Sequence, residues 1–300
     1  MSNKVRFILF STLTSALCAV YAVPIVRTFA QSFESMVHSH LVLMPFIAAY
    51  FVFIERKKFT LEKVRPAWIV GAALIAGGAA LGAVGMNKAD MLSDNDFLAA
   101  LIGSLELVFF GIASILFGIR VFTAFPFAVL MLLFAIPIPD MALDGFVHAL
   151  RVGSNHVVNV IFKLLRVTYH REGFIYHLPQ LSFNIAPQCS GIRSSIAVII
   201  TSLMAGKLML KTMRNRILLI AAALPITMFK NAIRISVLTL MGSYIDERIL
   251  ASDLHRRGGL PFFILALLLL GAVLFALMKT EAGKQRKQKT ESDSGESGPA

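Results

Sequence analysis

Apolar residues in this chain gather into long runs separated by short polar connectors. A helix crosses the ~30 Å hydrocarbon core of a bilayer in about 20 residues, and most of these runs approach that length. The pattern predicts eight spans, at about 7–26, 36–54, 67–86, 97–117, 121–138, 190–206, 217–241 and 260–278. The second is the thinnest. Its uninterrupted apolar stretch covers Leu41 to Ile54, and the residues from Met36 must complete it.

After Pro137 and Pro139 the pattern changes. Residues 141–168 repeat at helical spacing, with Leu143, Val147, Leu150, Val157, Val160, Ile161 and Leu164 on one stripe. Arg151, Lys163 and Arg166 take polar positions, which predicts an amphipathic helix lying on the outer membrane face. The runs Gly173–Leu178 and Leu181–Ile185 alternate about Pro179-Gln180, which predicts a β-hairpin leading directly to Cys189. The expected fold class is an all-α polytopic membrane protein. It has about eight transmembrane helices, with a small extracytoplasmic helix and a β-hairpin before the helix that begins at 190. Three regions follow: a transmembrane scaffold of five helices (1–138), an extracytoplasmic segment with the remaining helices (139–278), and a disordered cytoplasmic tail (279–300) rich in Lys, Gln, Ser, Glu and Gly.

Composition agrees with a membrane protein. Hydrophobic residues make up 57% of the chain and charged residues 15%, and mean hydropathy is +0.74, which no soluble fold of this size needs. The net charge of +12 would suit nucleic acid, but its distribution points elsewhere. With both termini on one side, that side holds 17 of the 29 Lys and Arg residues, in short loops and the tail. The positive-inside rule then makes the termini cytoplasmic and puts the 139–189 segment outside. The basic excess is a topology signal, and a nucleic-acid partner is not expected. Lys4 and Arg6 precede the first run as in a signal peptide. The stretch Ala16-Leu17-Cys18-Ala19 is a poor lipobox match, however, so an uncleaved first span is expected. The location implied is the inner (plasma) membrane. The third span is dense in Gly and Ala, the composition of close helix packing in lipid, and reads as scaffold. Glu106, within the fourth span, must face protein or water.

The chemistry gathers around Ala-Pro-Gln-Cys-Ser-Gly-Ile-Arg-Ser-Ser, residues 186–195. This stretch puts Cys189 where a polar connector meets an apolar helix, with Arg193 one turn on. Orphan N–H groups, the helix dipole and a guanidinium there would each favour thiolate over thiol. Cys18 has a bland setting, inside the first hydrophobic run among Leu17, Ala19 and Val20, and the two predict no disulfide. Asn231 and Arg234 stand at i, i+3 on one helical face, with Lys230 close by. A charge as deep as Arg234 should face a polar cavity or an anion. His255 precedes the last span at the membrane face expected for Cys189, and its near-neutral pKa suits proton transfer. Arg256 and Arg257 suit lipid headgroups equally well.

Together these residues describe acyl transfer. Cys189 attacks a carbonyl, Arg234 or Arg193 stabilises the oxyanion, and His255 carries the proton. The histidines His148, His156, His170 and His177 fall in the outer segment, but neither HExxH nor CxxC is present, so no metal and no cofactor is expected. Two rival classes stay open. A transporter or channel would bind an anion at Arg234, Lys230 and Glu106, with Cys189 incidental; no internal repeat supports it. A membrane acyltransferase or a non-catalytic assembly factor is the other.

Cys-Ser-Gly-Ile-Arg-Ser at 189–194, Asn-Ala-Ile-Arg-Ile at 231–235 and a histidine shortly before the last span resemble the exosortase/archaeosortase family. The resemblance covers 140–278, and the hydropathy of the N-terminal half is compatible with it. It implies a multi-pass membrane cysteine protease or transpeptidase with an extracytoplasmic site. Its substrates would be exported proteins with a C-terminal motif, a transmembrane helix and a basic cluster, cleaved through a thioester and passed to an acceptor. Carried over by motif, Cys189 is the nucleophile, Arg234 the essential arginine and His255 the third catalytic residue. Ser190, Arg193 and Asn231 are supporting residues.

Overall fold

The computed structural model describes residues 2–34, 37–59, 64–245 and 259–295, with side chains to residue 284. Two compact units divide the chain, Met1–Asp144 and Gly145–Ala300.

The first unit is helical: α1 (Asn3–Val20), α2 (Ala22–Glu34), α3 (Leu43–Glu55), α4 (Trp68–Asn87), α5 (Asp94–Phe117), α6 (Arg120–Ala124) and α7 (Pro126–Leu133). Its tightest contact is α4 on α5. Gly71, Gly78, Gly82 and Gly85 are the buried residues of α4. A Cβ on Gly78 would lie 2.8 Å from Val108 Cγ2 and 2.9 Å from the Ser104 carbonyl. Backbone thus meets backbone, as the small-residue run predicts. Ser104 Oγ donates to the Gly78 carbonyl (2.7 Å) and shares a 2.6 Å bond with Tyr21 Oη, which ties α1 to the same seam. Glu106 is buried in α5.

The second unit begins within α8 (Asp140–Leu164), followed by β1 (His170–Glu172), β2 (Ile175–His177) and β3 (Ser182–Asn184). The strands form an antiparallel sheet in the order β1-β2-β3, with Tyr176 opposite Arg171 and Phe183. The expected hairpin is β2–β3, and β1 adds a strand to it. Alternation turns Tyr176 inward, fully buried, while Ile175 and His177 stay exposed. Val158 and Phe162 of α8, Tyr176, Leu178 and Ile185 from the sheet region, and Ala232 and Ile235 form one apolar core. Polar bonds fix the sheet on α8. Tyr176 Oη donates to Asn155 Oδ1 (2.7 Å), and Asn155 Nδ2 donates to the Gly173 carbonyl (3.2 Å). Burial pushes the Tyr176 phenol up to about 12, so it remains this donor over the ordinary pH range.

Helices α9 (Ile192–Met209), α10 (Met213–Tyr244) and α11 (Gly259–Gly295) complete the unit. They pack through Val198, Leu219, Ala223, Ile226, Ala266 and Leu270. The Glu281 carboxylate on α11 accepts from the backbone N–H groups of Lys211 and Thr212 (both 2.9 Å), from Thr212 Oγ1 and from Asn215 Nδ2 (3.0 Å). A side chain from a distant helix thereby caps the start of α10.

Several expectations change. Among the described residues, five helices are long and apolar enough to cross a membrane: Trp68–Asn87, Asp94–Phe117, Pro187–Met209, Met213–Tyr244 and Gly259–Lys284. Counting α1 and α2 as one broken span, bent by 70°, makes six. The stretch expected to span at 121–138 is instead α6 and α7, interrupted at Phe125. Pro126 lacks an N–H and forces the preceding residue out of the helical region. The stretch 36–54 contributes a turn and the 13-residue α3. Helix α11 runs on to Gly295 where a disordered tail was expected from 279, and its Glu281 is anchored on α10.

Candidate active site

Cys189 is held by a short piece of chain with very little freedom. From β3 the backbone passes Ile185, whose N–H donates to the Phe174 carbonyl (3.0 Å). The Ile185 carbonyl accepts from Arg151 Nε at 2.8 Å, and the Arg151 guanidinium lies 4.1 Å over the Phe174 ring. A 3₁₀ turn over Pro187–Ser190 follows, in which the Cys189 N–H donates to the Ala186 carbonyl (2.9 Å). Gly191 then takes φ +69°, a conformation L side chains rarely adopt, and caps α9. A Cβ there would sit 2.8 Å from Asn231 Oδ1 and 3.2 Å from Lys230 Nζ, so both backbone angle and space require glycine. The Gly191 carbonyl accepts from Ser194 Oγ (2.9 Å), Ser195 Oγ (3.0 Å) and the Ser195 N–H (3.0 Å).

Helix α10 supplies the facing groups. Asn231 is fully buried, and its Nδ2 donates to the Cys189 carbonyl (2.9 Å) and to Ser154 Oγ of α8 (3.1 Å). Lys230, 2% exposed, donates to Ser194 Oγ. Arg234, three residues beyond Asn231 on the same face, lines a cavity of about 90 Å³ together with Cys189. Phe183, Ile185, Ile235 and Leu238 give that cavity apolar walls, with Asn184 and Thr239 at its polar positions. A thiol and a guanidinium on the rim of a small apolar space can form and stabilise a covalent acyl adduct.

The residues singled out by sequence fare differently. Cys189, Arg234 and Asn231 come together. Cys189 does not occupy the first turn of α9: it precedes Gly191, the cap of that helix, and its own N–H is already bonded. Arg193 is exposed and does not line the cavity, so of the two arginines Arg234 is the one beside the thiol. Ser190 is fully buried, with no hydrogen-bond partner for Oγ among the described residues. His255, with Arg256 and Arg257, lies outside the described residues. The outer-segment histidines His148, His156, His170 and His177 are all exposed. Ser154 and Ser194 were not singled out. The signal for Ser154 is its place four residues from Leu150 and from Val158, on the line α8 buries. Ser194 ends the Cys-Ser-Gly-Ile-Arg-Ser block itself.

A family model described as transmembrane exosortase matches residues 33–272, well over half the chain. No curated protein and no solved structure matches.

Proposed function

Because the chain belongs to the transmembrane exosortase family, we propose that it is a membrane cysteine protease or transpeptidase for exported proteins. The observation that carries this reading is the cavity shared by Cys189 and Arg234. The Cys189 thiol gives its proton to His255 as the sulfur adds to the scissile carbonyl, and the Arg234 guanidinium stabilises the oxyanion with two donors. The amide C–N bond then breaks. The leaving amine takes a proton delivered by His255, and the acyl group stays on Cys189 as a thioester. An acceptor amine or water displaces the thiolate and frees the enzyme.

The substrates are exported proteins bearing a C-terminal motif, a transmembrane helix and a basic cluster. On the eight-span reading of the sequence, charge distribution supports an inner-membrane location with cytoplasmic termini and the site on the outer face. Lipid and substrate are the partners this requires.

The test is cleavage of a co-expressed exported protein carrying such a signal. Cys189→Ala should abolish processing, and Arg234→Lys should lower it at least ~100-fold, because an ammonium cannot replace a two-donor guanidinium. His255→Ala should abolish processing or shift its pH profile. Undiminished processing by Cys189→Ala would remove the enzyme assignment. An anion transporter would instead keep its function in Cys189→Ser.

A further inference from the structure

We infer that Asn231 is the positioning residue of Cys189, with Ser154 as its anchor on α8. This rests on the assignment of Cys189 as nucleophile. The geometry has three independent parts. The Asn231 amide is fully buried and uses both hydrogens of one nitrogen, on the Cys189 carbonyl (2.9 Å) and on Ser154 Oγ (3.1 Å). The side chain therefore bridges α8 and the 3₁₀ turn. Its oxygen closes the other side, since a Cβ on Gly191 would fall 2.8 Å from Asn231 Oδ1. The turn is thus held at residue 189 by a hydrogen bond, and Asn231 Oδ1 occupies the space that a side chain at 191 would need.

Helix α8 approaches α10 closely enough for this. A Cβ on Gly153 would meet Met228 Sδ at 2.3 Å, and Ser154 Oγ donates to the Met228 carbonyl at 3.4 Å. Asn231 and Arg234 share one helical face, three residues apart. A single turn of α10 accordingly carries both the group that fixes the nucleophile and the cation that faces it. Their separation is set inside one rigid element, independent of the loop that brings Cys189. Leu at 231 would fill similar volume and leave the Cys189 carbonyl and the buried Ser154 hydroxyl without this donor, which is why a carboxamide stands there.

The experiment uses the full chain in native membranes, with Cys18→Ser so that Cys189 is the sole thiol. Its readout is the rate constant for modification by methyl methanethiosulfonate between about pH 5 and 9, since the thiolate and not the thiol reacts. Asn231→Ala and Asn231→Asp should change that rate about tenfold or more and alter the shape of its pH profile, the Asp variant more strongly because it sets oxygen against the Cys189 carbonyl. Ser154→Ala should change it about threefold and add nothing when combined with Asn231→Ala, because it acts through the amide.

Rates within twofold of wild type, with an unchanged profile, would overturn the assignment. So would full additivity of Ser154→Ala and Asn231→Ala. If neither Asn231 variant accumulates, Ser154→Ala decides alone: altered reactivity supports the role and wild-type reactivity overturns it. The readout needs no substrate. Processing that survives Cys189→Ala would therefore sink the peptidase reading while leaving the positioning result intact.

Discussion

The α4–α5 seam and the knot of α8, α9 and α10 around Cys189 both bring helices together at glycine, for opposite ends. In the seam, Gly71, Gly78, Gly82 and Gly85 let one backbone press on another, with a single hydroxyl, Ser104, reaching across. Close packing of this kind is what holds helices together in lipid, and it asks little of polar chemistry. The knot buries Ser154, Ser190, Ser195, Lys230 and Asn231, each 2% exposed or less. Sinking such groups costs free energy that hydrogen bonds only offset, so adhesion alone does not account for them. Helix α5 buries Ser104, Glu106 and Ser114 as well; what sets the knot apart is that its buried polar groups gather around Cys189, the proposed nucleophile.

The strongest way to break this comparison is to enlarge one glycine on each side. Gly78→Val sets its first carbon 2.9 Å from the Ser104 carbonyl, a backbone atom that cannot step aside. It should cost about 3 kcal/mol or more of stability, at the upper end of overpacking, read as loss of folded protein in membrane extracts. The Cys189 modification rate of the surviving folded molecules should stay at the wild-type value. Gly191→Ala faces φ +69° and the Asn231 oxygen, and should cost about 1–2 kcal/mol of backbone strain. Its loss of processing should far exceed that loss of stability. Processing that merely tracks the amount of folded Gly191→Ala protein would erase the distinction.

A smaller effect sharpens the line between scaffold and site within the second unit. Glu281 caps α10 through four donors but lies outside the knot. Glu281→Ala should lower stability by about 1–3 kcal/mol, measured by thermal unfolding in detergent, and Glu281→Gln should recover part of it. Unchanged Cys189 reactivity in the folded fraction is the expected companion result. A tenfold change in that reactivity would place the cap inside the functional network.

Much of the architecture was legible as hydropathy, because a long apolar helix needs no tertiary information. The span expected at 97–117 is contained in α5, and that at 217–241 in α10. The break at Pro126 was readable as a residue but invisible to a hydropathy window. In α8 the pattern misled in detail. Of the expected stripe, Leu150 is fully buried and Val157 and Ile161 pack on the core, but Val160 and Leu164 are exposed, while the buried line runs Leu150, Ser154, Val158, Phe162. Ser154 and Asn155 are inside because Asn231 and Tyr176 bond them there, and no local periodicity encodes a partner some 20 or 80 residues away. The Cys-Ser-Gly block was legible because glycine at φ +69° leaves a trace in sequence. The exposure of Arg193 was not, since it depends on how the turn enters α9.

The smallest of these effects separates the sheet from the knot it leads into. Tyr176 Oη donates to Asn155 Oδ1, one residue along α8 from Ser154, and burial pushes its pKa up to about 12. An unfolded tyrosine titrates near ~10, so the folded state prefers the neutral phenol. The stability this gives is complete below about pH 10 and is lost as pH rises through about 12. Tyr176→Phe keeps the ring stacked on Phe183, 5.1 Å between centroids, and removes the donor alone. It should cost about 1 kcal/mol at neutral pH. Melting temperatures followed from neutral to alkaline pH should fall more steeply for wild type than for Tyr176→Phe, because only wild type has this phenol to ionise. Equal slopes would show that the phenol's burial is not coupled to folding. A wild-type Cys189 rate in Tyr176→Phe would keep the sheet with the scaffold, whereas a changed rate would extend the knot from Asn231 through Ser154 into Asn155 and the strand beyond it.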